Sequence, residues 1–330
     1  MLIAADLRGI ASHGVARARR YVDGLRSGAI NPRPVPATLA ETAAMIAIDA
    51  DNGLGQPAAI AAMRAAITKA AATGVGVATV ARSNHFGIAG YYTSLALERG
   101  MIGVASTNAS PQVCPTSGAE AMFGTNPIAA AVPGEAGDDF ELDMATSVVP
   151  RGKLERMAWA GEPIPDGWAI APDGSAAQRH ATLVAGLKQR AGFALLPLGG
   201  AGEQHGGHKG YGLGLLVELL CGPLAGAAWG RHTYASGTAG LGHWFLALDV
   251  AALRPLAAVR GEVAAMFAEL RGSRPAAGAP PIRIAGERRR DREAHHRARG
   301  VPLYPEVVDD LRAVGGSVGV ALPLAMAIHV

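Results

Sequence analysis

The chain has 330 residues, 49% of them hydrophobic and 17% charged, with a formal net charge of +3. That balance excludes disordered and fibrous classes and leaves a globular protein with one large core or two smaller ones. Mild charge and 5% aromatic content give no stacking platform for single-stranded nucleic acid, so no nucleic-acid partner is expected.

Asp6-Leu7-Arg8-Gly9-Ile10-Ala11-Ser12-His13-Gly14 puts charges where a signal peptide would have a basic start and an apolar core, and a cytoplasmic location is expected. Ser12 is expected to cap a helix over 13–25, on which His13, Arg17 and Tyr21 recur every four residues and share a face. Residues 31–36, rich in proline, break the chain. A strand is predicted over 45–48, running into the Asp51-Asn52-Gly53 turn. An Ala-rich helix over 56–72 carries Ile60, Met63 and Ile67 on one stripe, and a strand over 75–80 follows. The alternation continues with a helix over 88–98, a strand over 102–107, an irregular loop through Pro111, Cys114 and Gly118, and strands over 128–132 and 140–144. Ser147 or a neighbour starts a helix bearing Arg151 and Lys153, with Pro150 tolerated only in the first turn.

Residues 166–174 read as a loop, and 175–194 give no clear periodic signal. A helix over 211–220 reads as buried; its apolar run carries Glu218 and continues past Pro223, so it falls short of a membrane span and no membrane partner is expected. A strand over 244–250 precedes an amphipathic helix over 256–270 with Val259, Val263, Met266 and Phe267 inward, and a last helix covers 305–314. Arg288-Arg289-Arg290 with Arg292, Arg297 and Arg299 is a dense basic cluster, but Asp291 and Glu293 interrupt it, so it reads as a solvated face. Cys114 and Cys221 lack the spacing of a disulfide framework or a zinc site, which fits a reducing compartment.

Chemistry concentrates in a few stretches. His13 has the one side-chain type whose unperturbed pKa suits proton transfer near neutral pH, and Arg17 one turn on offers a bidentate clasp for a carboxylate. Tyr21 is ambiguous between core packing and a hydroxyl in the pocket. His85 lies in a polar turn between strand and helix, where Asn84 and Gly87 permit close backbone approach. Gly124-Thr125-Asn126-Pro127 offers a hydroxyl and an amide before a strand. Asp143-Met144-Ala145-Thr146-Ser147 passes from strand to helix, where backbone N–H groups suit phosphate or ribose, with Arg151 and Lys153 adding charge. Glu203-Gln204-His205-Gly206-Gly207-His208 has two histidines without a third ligand, and no metal is expected. No G-x-G-x-x-G turn follows a strand; Gly210-Tyr211-Gly212-Leu213-Gly214 has the wrong spacing, so any dinucleotide must be held by a fold other than the Rossmann type.

These motifs together resemble the malate/L-lactate dehydrogenase family outside the Rossmann group, which includes ureidoglycolate, sulfolactate and diketogulonate oxidoreductases and piperideine-carboxylate reductase. The resemblance spans nearly the whole chain. It rests on the stretches around Asp6 to Val15, Asn84 to Tyr92, Gly124 to Pro127, and Asp143 to Ser147 with Arg151-Gly152-Lys153. Leu196-Pro197-Leu198-Gly199-Gly200 and His208-Lys209-Gly210-Tyr211-Gly212 complete it.

The resemblance implies an α/β protein: a non-Rossmann, mixed-sheet NAD(P)-binding domain over 44–250 and a helical domain built from both chain ends, 1–43 and 251–330. It also implies hydride transfer between NAD or NADP and a small 2-oxo or 2-hydroxy acid, or a cyclic imine acid, by a homodimer or larger homo-oligomer. Ser12 and His13 are the implied proton-relay pair, Arg17 the carboxylate clamp, and His85 a second active-site histidine. Tyr21, Thr125, Arg151 and Gly152 are implied substrate contacts. His85, Phe86, Gly87, Ile88, Ala89, Asp143, Met144, Ala145, Leu198, Gly199, Gly286 and Glu287 are the implied cofactor cradle. The chain begins almost on the Asp6 motif, where relatives usually carry a preceding helical segment, and Lys153 stands where some relatives have an aspartate. A catalytically impaired homologue acting as a ligand-binding or oligomer-interface protein is the alternative expectation.

Overall fold

The computed structural model describes residues 1–321 except 136, 160 and 178, so 322–330 of the second expected helical segment lie outside the described residues. The first elements are helix α1 (Leu2–Leu7), 3-10 turns Ala11–His13 and Val15–Arg17, and helix α2 (Ala18–Ser27). Strands β1 (Ala37–Glu41) and β2 (Met45–Asp49), helix α3 (Gly55–Thr73), strand β3 (Val75–Ser83), helix α4 (Gly90–Leu97) and strands β4 (Met101–Thr107), β5 (Ile128–Val132) and β6 (Phe140–Met144) follow. Then come helix α5 (Arg151–Trp159), the short strand β7 (Ala169–Ile170), helix α6 (His180–Gln189) and its partner strand β8 (Ala194–Leu195). Helix α7 (Gly207–Cys221), strand β9 (Leu241–Asp249), and helices α8 (Leu256–Gly272), α9 (Glu287–Arg299) and α10 (Pro305–Ser317) complete the described chain.

Seven strands form one mixed sheet in the order β1-β2-β3-β9-β4-β5-β6. Only the β2–β3 pair is parallel, because α3 supplies the crossover that a parallel pair needs. The late strand β9 enters between β3 and β4, antiparallel to both. On one face lie α3 and α4, and on the other α7. Alanines make the close approach of α3 workable: Ala59, Ala62, Ala66 and Ala70 are fully buried beside Met63. Gly76 on β3 completes it, since a Cβ there would stand 1.9 Å from the Ala66 carbonyl oxygen. A second apolar cluster joins Val113, Phe123, Leu154, Leu183, Leu187 and Leu195, so the segment carrying α5 and α6 has its own core. Helices from the two chain ends meet, α1 against α9 and α2 against α10.

Five expectations need correction. The helix predicted over 13–25 begins only at Ala18, after two 3-10 turns, because Gly14 is extended (φ −86°, ψ −150°). Ser12 does not cap it; the amide of Val15 donates instead to the Asp6 carboxylate at 2.8 Å. Met266 is more than half exposed rather than inward, since the inner face of α8 narrows to Val259, Val263 and the buried Phe267. The basic run 288–299 forms α9 and is not simply solvated: Arg289 pairs with Asp143, and Arg290 with Asp138 and Glu141. The loop expected over 166–174 includes β7.

Candidate active site

His85 is placed by a chain of local contacts. Asn84 at the end of β3 donates from Nδ2 to the Asn52 carbonyl, the Asn52 side chain and the Gly53 carbonyl, all within 3.0 Å, which ties the turn after β3 to the turn after β2. Phe86 is buried, stacked on His243 with ring centroids 4.7 Å apart, and its carbonyl accepts from the Tyr92 hydroxyl. Between two such anchors the backbone at His85 has little freedom. The Tyr21 hydroxyl, delivered by α2, shares a 2.6 Å hydrogen bond with His85 Nδ1.

His13 arrives from the 3-10 turn and lies parallel to His85, with ring centroids 5.5 Å apart and an interplanar angle of 19°. Its Nδ1 is 2.9 Å from the Ser12 hydroxyl. That hydroxyl both donates and accepts, so it satisfies Nδ1 whichever ring nitrogen carries the proton. Burial, followed by the charges of Arg17, Arg20 and Arg151, holds the His13 pKa down at about 4. Burial together with Arg20, His13 and Arg17 pushes His85 well below its ordinary value too. Tyr21 is pushed up to about 12, chiefly by burial. The site is therefore set with two neutral imidazoles and a neutral phenol amid arginine charge.

Arg17 is braced by its own turn, with Nε donating to the Ser12 carbonyl at 2.6 Å. Arg151, at the start of α5, comes within 3.3 Å of Glu155, whose other oxygen is 3.6 Å from Arg17. Gly152 rests against Ser12 so closely that a Cβ there would be 2.5 Å from Ser12 Cβ. The structure thus brings together Ser12, His13, Arg17, Tyr21, His85, Arg151 and Gly152, although no continuous helix face carries the first four. Glu155 was missed by sequence reasoning. Its signal was present in the i,i+4 spacing from Arg151 on the expected helix.

The remaining predicted residues follow β6. Asp143 accepts from the Gly90 amide at 2.9 Å, at the far end of the loop that begins at His85, with Arg289 at 3.7 Å. Burial raises the Asp143 pKa against the opposing pull of Arg289 and that amide. Three residues on, the Thr146 amide donates to the Thr125 carbonyl, and the Leu198 amide donates to the Thr146 carbonyl, both at 2.9 Å. Met144 and Ala145 are the half-buried residues between these two groups. Leu198 and Gly199 line a cleft of about 470 Å³ with His205, His208, Lys209 and the first turn of α7. Gly286 and Glu287 lie toward the other end of β6, where the Glu141 amide donates to the Ala285 carbonyl and Glu287 is held by Arg271. Arg289 connects the two ends, reaching both Asp143 and the Glu141 carbonyl.

The cleft opens at the N-terminus of α7 with Lys209 and Glu203 both in its lining, and the free backbone amides of a helix N-terminus suit a phosphate group. In the 85–89 loop Phe86, Ile88 and Ala89 are buried, which leaves its backbone and the half-buried His85 as the groups it could offer a ligand. Among the described residues no group of three or more His, Cys, Asp or Glu side chains is placed to hold a metal ion.

A family model described as malate/L-lactate dehydrogenase matches residues 1–312. The chain is 44% identical to a malate dehydrogenase of Pyrococcus abyssi, over 97% of this chain and 87% of that protein. It is 32% identical to a Delta(1)-pyrroline-2-carboxylate reductase of Ancylobacter novellus, over 92% and 85% respectively. The crystal structure of malate dehydrogenase from Entamoeba histolytica superposes with a TM-score of 0.94 at 34% identity, covering 98% of this chain and 91% of that one.

Proposed function

Because this chain belongs to the malate/L-lactate dehydrogenase family, we propose that it transfers a hydride between NAD or NADP and a small acid. The acid is a 2-oxo or 2-hydroxy acid of the malate or lactate kind, or a cyclic imine acid. The observation that carries this reading is the cluster of His13, His85 and Tyr21 beside Arg17 and Arg151. The named relatives are a dehydrogenase and a reductase, which speaks for catalysis over a silent binding protein.

A bound nicotinamide supplies the hydride in reduction and accepts it in oxidation. In oxidation the neutral His13 takes the proton from the substrate hydroxyl as C2 loses hydride; in reduction the imidazolium returns it to the carbonyl oxygen. Ser12 steadies the ring through Nδ1 in both states. Arg17 binds the acid's carboxylate beside the proton donor, with Arg151 adding charge, Gly152 shaping the wall against Ser12, and Thr125 a further contact for the acid. Tyr21 fixes His85 through its hydrogen bond, so His85 flanks the reacting carbon without swinging. His85 to Ala89, Asp143 to Ala145, Leu198, Gly199, Gly286 and Glu287 would hold the cofactor, with Lys209 at the cleft supporting its phosphates.

The reading extends to a homodimer or larger homo-oligomer in the cytoplasm. Two buried, unpaired thiols, Cys114 and Cys221, support a reducing setting. No helix among the described residues is long and apolar enough to cross a membrane.

The test follows cofactor absorbance with a panel of 2-oxo acids and cyclic imine acids, supplying NADH and NADPH in turn, for wild type and His13→Gln. Loss of the proton donor is expected to lower kcat by roughly a hundredfold or more. Equal rates in the two proteins would remove His13 from the chemistry.

A further inference from the structure

We propose that Glu155 is a positioning residue for acid binding: its carboxylate, offered from α5, gathers Arg17, Arg151 and Lys188 at one point and holds the two arginines where the substrate's carboxylate docks. The proposal rests on the reading of Arg17 as the acid's clamp. Three cations from three separate elements converge on this carboxylate, Arg151 at 3.3 Å and Arg17 and Lys188 each at 3.6 Å. Its side chain is only 12% exposed. Among the described residues no other carboxylate is paired with Arg17 or Arg151.

Those separations exceed the 2.7–2.9 Å of a tight charge-assisted bond. Arg151 Nε, the nitrogen 3.3 Å from Glu155, is itself buried and faces that carboxylate. Glu155 therefore engages one nitrogen of each guanidinium, Arg17 Nη2 and Arg151 Nε, and the other nitrogens of each fork, apart from Arg17 Nε on the Ser12 carbonyl, are left for an incoming carboxylate. One negative charge against three positive ones also leaves the pocket attractive to an anion. Without that charge, like charges at short range drive the flexible arginines apart. Arg17 keeps its brace on the Ser12 carbonyl but loses the partner that orients its outer nitrogen.

The test is steady-state kinetics of the full chain carrying Glu155→Gln, Glu155→Asp, Arg17→Ala and the Arg17→Ala/Glu155→Gln pair, with melting temperatures measured alongside. Glu155→Gln is expected to raise the KM of the acid about tenfold, with kcat and the cofactor's KM within about threefold, and Glu155→Asp to recover most of the loss. In the Arg17→Ala background the same substitution is expected to add less than about twofold, as for two groups acting through one contact. An acid KM that stays level or falls in Glu155→Gln overturns the proposal, as does a parallel rise of both KM values with a lowered melting temperature. If Arg17→Ala itself leaves the acid's KM unchanged, the parent reading of the clamp fails. If Arg17→Ala raises it and Glu155→Gln does not, only the role of Glu155 fails.

Discussion

At the scale of the residue, His13 couples burial to chemistry. The folded protein holds its pKa at about 4, below the ordinary 6.5, so at neutral pH the free enzyme carries a neutral base. Because kcat/KM reports groups in the free enzyme, the two directions should respond oppositely to pH. Oxidation, which needs neutral imidazole, is expected to stay level from pH 7 downward and fall only near pH 4. Reduction, which needs the imidazolium, should gain roughly tenfold per unit as pH drops from 7, levelling near 4. Initial rates in both directions between pH 4.5 and 8 check this; a reductive plateau already reached at pH 6.5 would show that His13 is not depressed. Residue types were the most legible part of this site. His13, Arg17, Tyr21 and His85 announced themselves by chemistry and spacing, but the reason they converge did not. A helical period was read across Gly14, whereas Asp6 takes the Val15 amide and turns the chain twice before α2 begins. Arg289 was equally hidden, since a basic run looks solvated until Asp143 is placed beside it.

Elements show where local signals suffice and where they do not. Strand β5 is a short apolar run from Ile128 to Val132 and β6 alternates Phe140, Leu142 and Met144 with Glu141 and Asp143, so both can be bounded from sequence, whereas β7 and β8, two residues each, exist only as partners of one another. Helix α9 has no buried residue, so its apolar period is absent and its ion pairs to Asp138, Glu141 and Asp143 define its place. Helix α7 was read as buried because its composition is apolar. Its inward face is in fact a row of glycines, and the geometry at Gly210 is the tightest: a Cβ there would lie 2.1 Å from the Leu198 carbonyl oxygen and 2.5 Å from its nitrogen. Alanine in a helix interior gains about 1 kcal/mol over glycine in propensity. Contact at 2.1 Å with fixed backbone outweighs that gain, because the carbonyl cannot rotate away as a flexible side chain would. Gly210→Ala should thus push Leu198 and Gly199 outward, lowering the melting temperature and raising the cofactor's KM several-fold while the acid's KM stays near wild type. A rise in melting temperature with an unaltered cofactor KM would mean that propensity prevails and that α7 does not set the Leu198 loop.

For the whole molecule, composition and alternation identified a mixed α/β architecture, yet the sheet order was beyond them. Periodicity marks a strand without naming its neighbour, and β9 pairs with β3 and β4 only after the stretch carrying α5, α6 and α7 has intervened. The same limit applies to α7, whose outward face carries Leu215, Leu216 and Leu219 with Leu224 and Trp229 beyond its end, all exposed. A helix apolar on every side belongs in an interior, and one side of α7 already has the sheet. In the proposed homo-oligomer a second copy would cover the other: burying a leucine side chain fully is worth about 1.5–3 kcal/mol, so four leucines and a tryptophan contributed by each of two copies would give a substantial drive to association. Placing a charge there without changing the inward glycines should separate the copies. Leu216→Asp with Leu219→Asp is accordingly expected to shift the mass measured by light scattering from a multiple of the chain mass to that of a single chain, with circular dichroism preserved. A wild-type protein that already sediments as a monomer at micromolar concentration, or a double variant that keeps the oligomer intact, would place the contact elsewhere and leave those leucines to another partner.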